Sequence, residues 1–130
     1  MIHKHFDRIP TEKIERPGFH AMIARFALTL DDGMPHYAMR IMEFGPGGHT
    51  SLHAHAEEHE FYFLDGNSTL VNGEGVETPM RDGDCVYVSA HEMHQIKNPG
   101  NGTARVVCTI PILPGGDGKR TTQTACGSAR

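Results

Sequence analysis

The chain lacks the features that mark several large protein classes. No apolar run approaches the roughly 18 residues that a membrane-spanning helix requires, and the mean hydropathy is −0.41. The N-terminus, Met1-Ile2-His3-Lys4-His5-Phe6, has no apolar stretch of the signal-peptide kind. Lys and Arg number 12 against 16 Asp and Glu, a formal charge of −4, so no basic surplus points to nucleic acid and no charge block forms an acidic tail. Cysteine is scarce as well. Cys85, Cys108 and Cys126 make an odd set without CxxC spacing, which excludes a disulfide framework as the main stabiliser and favours a reducing cytoplasm. A single domain is the natural use of 130 residues.

Histidine is abundant, with ten in the chain, and glycine (15) and proline (8) recur at short intervals. The frequent breakers leave little room for helices, and the stretch between Pro10 and Pro17 holds one helical turn at most. The pattern from Phe19 onward predicts short strands at 20–30, 37–44, 50–55, 60–64, 68–71, 85–88, 94–97 and 105–110. Turn residues separate them, among them Gly45-Pro46-Gly47-Gly48 and the tight-hairpin pair Asn72-Gly73. Many short strands at this spacing predict an all-β sandwich or barrel. Residues 1–20 read as an N-terminal arm, 21–113 as the β domain and 114–130 as a flexible C-terminal tail.

Side-chain parity says which residues meet. Val106, Cys108 and Ile110 share one face of their strand, and His94 shares a face with Ile96. The strand 60–64 is apolar on both faces, with Phe61 and Phe63 on one and Tyr62 and Leu64 on the other, which suits a central or interface position.

Four histidines fit one inward-facing set. His53 and His55 are two apart and about 7 Å apart in a strand, His59 keeps the same parity, and His94 lies on the inner face of a later strand. Buried imidazoles repel when protonated and need partners when neutral, and a transition-metal ion answers both demands. Glu60, next to His59, falls on the opposite face, so parity selects His59. Arg40 shares a face with Ala38, Met42 and Phe44; it either enters the barrel to meet an anionic or carbonyl group, or sits exposed on an edge strand. Cys108 either lines the metal cavity or is a plain buried cysteine. His49 and His91 flank the set in turns, and His3, His5, His20 and His36 have no evident part in it.

Two spaced patterns carry a family resemblance. Gly47-x5-His53-x-His55-x3-His59-x6-Gly66 resembles the first signature of the cupin superfamily, with histidine where most members have glutamate. Gly83-x5-Ser89-x-His91-x2-His94-x3-Asn98 resembles the second, with Ser89 and His91 at the usual proline and glycine. The likeness is to small single-domain cupins with a four-histidine metal site. It implies an all-β cupin jelly-roll barrel of two antiparallel sheets, with one divalent transition metal ion on His53, His55, His59 and His94. Mn or Fe is favoured, and Ni, Cu and Zn are compatible with imidazole. It further implies a homodimer acting on a small-molecule substrate without nucleic acid or membrane. The leading expectation is a metal-dependent oxidoreductase of the dioxygenase type, with Arg40 orienting the substrate. A metal-dependent isomerase or lyase and a non-catalytic small-molecule sensor are the alternatives.

Overall fold

The computed structural model of the protein describes residues 1–122. Nine strands lie among them: β1 (Glu12–Lys13), β2 (His20–Leu28), β3 (Tyr37–His49), β4 (His59–Asp65), β5 (Ser68–Asn72), β6 (Glu77–Met80), β7 (Cys85–Val88), β8 (His94–Lys97) and β9 (Ala104–Pro111). Every pairing is antiparallel, and the strands form one continuous curled sheet, a half-barrel. The continuity comes from β3. It pairs with β9 along Tyr37–Phe44 and with β8 at His49, so one strand joins the β9-β4-β7 branch to the β8-β5-β6 branch.

The core follows from alternation. Ala104, Val106, Cys108 and Ile110 of β9 point inward, as do His59, Phe61 and Phe63 of β4 and Ala38, Arg40, Met42 and Phe44 of β3. Burying each large apolar side chain contributes about 1.5–3 kcal/mol, so these three adjoining strands set the register strongly. On the outer face Tyr62 and Leu64 stay exposed.

Several boundaries differ from the sequence expectation. β3 runs through Gly45-Pro46-Gly47-Gly48 instead of turning there. Gly48 permits it: a Cβ at that position would stand 2.9 Å from the Ala21 carbonyl oxygen, so only glycine lets β2 approach so closely. The expected strand 50–55 is an irregular segment that carries only isolated bridge positions, among them His53 to His94. Side chains there bond to nearby backbone carbonyls, which competes with a regular ladder. The Asn72-Gly73 hairpin exists, but its positive φ falls on Gly75 (81°), and Asn72 Oδ1 accepts from the amides of Glu74 and Val76. β1 and β6 were not foreseen, because both are short, polar and exposed.

Residues 114–122, the first part of the expected tail, pack on the sheet. The Leu30 amide donates to the Gly118 carbonyl at 3.2 Å. Lys119 pairs with Asp31 at 2.8 Å, and the Lys119 and Arg120 cations lie 5.5 and 4.7 Å from the Phe26 ring centroid. Charged side chains whose stems and heads find an aromatic face and carboxylates hold a polar run in place. Cys126 and the rest of the expected tail lie outside the described residues. The N-terminal arm is likewise packed: Ile9 is buried, and Ile14 and Phe19 rest against the core.

Candidate metal centre

Three histidines converge inside the half-barrel. One ring nitrogen from each of His53, His55 and His94 lies within 4.8 Å of the other two, and all three residues are buried. The irregular segment after β3 supplies the first two, and the start of β8 supplies the third. His53 and His94 exchange backbone hydrogen bonds at 3.1 and 2.9 Å, which fixes the two pieces against each other.

Hydrogen bonds orient each ring. Nδ1 of His53 donates to the Ser51 carbonyl (2.8 Å), Nδ1 of His55 to the Glu57 carbonyl (2.7 Å) and Nδ1 of His94 to the Glu92 carbonyl (2.7 Å). A carbonyl accepts only, so the network assigns the proton to Nδ1 and leaves the Nε2 lone pair free. The environment keeps the rings neutral. Burial, then the neighbouring His94, lowers His53 to about 4 and His55 to about 3, and burial also lowers His94. Neutral imidazoles with ring nitrogens in mutual reach are a donor set that suits a transition-metal ion. Nε2 of His94 is buried without a hydrogen-bond partner, a cost of about 1–3 kcal/mol that ligation would relieve. The residues therefore fit a metal ion.

His59 stands beside this trio with the opposite polarity. Its Nε2 lies 2.9 Å from Nε2 of His55, which is an acceptor, so His59 donates there. Its Nδ1 is then the acceptor for Cys108, whose sulfur is 3.0 Å away and whose pKa burial pushes up, keeping it a thiol. Arg40 Nη2 donates to the same sulfur at 2.9 Å. One chain of hydrogen bonds thus runs from Arg40 through Cys108 and His59 to His55. Burial, then the Arg40 cation, holds His59 well below the usual histidine range.

Parity correctly set His59 inside and Glu60 outside. Arg40 faces inward and is 7 % exposed; β3 pairs on both sides, so the edge-strand alternative does not hold. Cys108 lies directly across the ladder from Arg40 and is fully buried. It sits behind Arg40 and His59 and is not on the cavity wall. The cavity itself has a volume of about 50 Å³ and is lined by Arg40, His53, His59 and His94, with Phe19 and Phe61 among its apolar walls.

Sequence reasoning missed Glu57. It is 2 % exposed, stands 3.9 Å from Nδ1 of His55, and accepts from the amide and hydroxyl of Thr122 at 2.9–3.2 Å. Its parity matches His53, His55 and His59, a signal that was available. Arg16, Arg120 and Thr121 also line the cavity; nothing local in the sequence marks them, because they arrive from opposite ends of the chain.

A curled antiparallel half-barrel with an inward histidine cluster defines a jelly-roll protein with a cluster that could hold a metal ion. The cupin domain profile matches residues 40–110, and the chain belongs to that family. It is 27 % identical over 122 residues to auxin-binding protein 1 of Arabidopsis thaliana, covering 87 % of this chain and 60 % of that protein. It is 29 % identical over 72 residues to the oxalate-binding protein of Thermotoga maritima, covering 55 % of this chain and 60 % of that one. The chain thus spans about 60 % of the length of these curated relatives. Among solved structures, the polyketide cyclase RemF from Streptomyces resistomycificus superposes with a TM-score of 0.81 at 26 % identity, covering 85 % of this chain and 79 % of that one. A sugar phosphate isomerase from Silicibacter pomeroyi superposes at 0.74 and 20 % identity, covering 87 % and 77 %, a likeness of fold alone. No helix among the described residues is long and apolar enough to cross a membrane.

Proposed function

We propose that the protein is a metal-dependent oxidoreductase of the dioxygenase type acting on a small organic substrate. One divalent ion, Mn or Fe, would be held by His53, His55 and His94, with His59 as fourth ligand. The observation that carries the reading is the donor set itself, imidazoles with no carboxylate on the cavity wall among the described residues. Neutral ligands leave a bound ion its full positive charge, which supplies Lewis acidity and, for Mn or Fe, one-electron chemistry. The chain's own residues do the rest. The backbone carbonyls of Ser51, Glu57 and Glu92 hold three rings in one tautomer. For His59 to ligate through Nε2, its proton must move to Nδ1, and the Cys108 thiol must turn its own hydrogen away so that the sulfur accepts from Nδ1. Arg40 presents a cation beside the histidines for the substrate's carbonyl or carboxylate, while Phe19 and Phe61 limit water.

Oxygen consumption by Fe- and Mn-loaded protein across small organic acids and enols tests this, with uptake expected only in the metal-loaded samples. No uptake with any substrate overturns it. A second reading is a Lewis-acid cyclase, isomerase or lyase. It draws on the polyketide cyclase named among the structural relatives, and anaerobic turnover would establish it. The exposed Tyr62, Leu64 and Tyr87 on the outer sheet face support a homodimer; sedimentation as a monomer at micromolar concentration would refute that.

A further inference from the structure

The cavity wall is one-sided in charge. Three arginines, Arg16, Arg40 and Arg120, line it, and no aspartate or glutamate does among the described residues. Their partners differ. Arg120 is neutralised by Glu12 and Asp117. Arg40 spends Nη2 on Cys108, but its Nε is buried with no partner. Arg16 makes no side-chain hydrogen bond or salt bridge among the described residues; its guanidinium lies over the Phe19 ring at 5.2 Å. That ring stacks in turn on His53, centroids 5.8 Å apart. Arg16 therefore stands one aromatic ring away from the histidine cluster, on the arm that precedes β2.

An unpaired guanidinium beside a confined site and a buried Nε with no acceptor are both deficits that one ligand can fill. A planar oxyanion suits a guanidinium fork better than any neutral group. Apart from the histidines, Thr50 and Thr121, the remaining wall, including Met22, Phe26 and Met42, is apolar. The volume, about 50 Å³, limits what enters while Arg120 and Thr121 stay in place.

We propose that this cavity selects organic anions, carboxylates or enolates with an apolar remainder, and that Arg16 is the specificity-determining residue at its mouth, with Arg40 meeting the anion deeper in. The inference rests on the cavity being the substrate site, and it adds the charge class of the substrate and a residue outside both sequence signatures.

Matched probes test it. Acetate with acetamide, and benzoate with benzamide, differ in charge at nearly constant shape. Titration calorimetry on Mn-loaded and metal-free full-length protein should show at least one anion binding about tenfold or more tighter than its amide in both forms. Arg16→Met should weaken that anion about tenfold and leave the amide unchanged, while Arg16→Lys should retain most of the preference. An unchanged melting temperature shows that each variant is folded. Equal binding of anion and amide, full anion affinity in Arg16→Met, or no binding of any probe overturns the proposal. Anion selection in protein that turns over nothing would leave this inference standing and remove only the catalytic one.

Discussion

The ten histidines fall into two populations. His53, His55, His59 and His94 are at most 5 % exposed and lie ring against ring, with centroids 4.6–5.1 Å apart in five of their pairs. His3, His5, His20, His36 and His91 are exposed, and His49 is half-buried. The same side chain is a neutral, oriented donor in one region and a solvated surface group in the other. What separates them is whether a second polar group fixes Nδ1 while burial strips water from Nε2.

The sharpest break in that comparison comes from deletion. His53→Ala, His55→Ala and His94→Ala should each lower metal affinity by more than about 100-fold, beyond what loss of a supporting residue does. His36→Ala should retain full occupancy, and elemental analysis after dialysis reads the difference. Acid should separate the populations next. In metal-free protein His53 and His55 titrate near 4 and 3 when folded, against about 6.5 unfolded. Between those values the unfolded chain binds protons that the folded one does not, so stability falls as pH drops from about 6.5 toward 3. His53 alone contributes on the order of 3 kcal/mol to that loss. Urea melts of wild type and His53→Ala across this range should show a shallower acid limb in the variant; parallel limbs would refute the assignment.

The positioning role of Cys108 predicts a smaller effect. Cys108→Val should weaken metal binding about tenfold through His59 while leaving the trio's rings held by their carbonyls. Competition with a chelator measures it, and unchanged affinity would remove Cys108 from the site. Thr122→Val takes the hydroxyl donor from buried Glu57, leaves the backbone amide bond in place, and should cost about 1–2 kcal/mol in denaturant melts. The smallest effect lies in the exposed population. His91 adopts φ 64°, at the position where the resemblance implies glycine. His91→Gly should stabilise by about 0.5–1 kcal/mol with no change in metal content.

Much of the site was legible because β-strand parity is rigid. A period of two set His59 inside, Glu60 outside, and Arg40 and Cys108 on inward faces, all as found. Parity was less informative where the backbone left the ladder. His53 and His55 were expected on a strand, yet they meet on an irregular segment held by their own side-chain bonds. β6, exposed and carrying Pro79, gave no alternation to read.

By itself the sequence determined the all-β class, the inward histidines and the family, because short-range alternation and motif spacing encode them. Only the tertiary structure decided that Arg40 and Cys108 are cross-strand partners, that His59 carries its proton on the opposite nitrogen from the trio, and that Glu57 is latched by Thr122. It also decided that Arg16 and Arg120 line one cavity. Nearly all of these depend on contacts between residues tens of positions apart, and a single sequence carries no local signal for which distant side chains will share a buried volume.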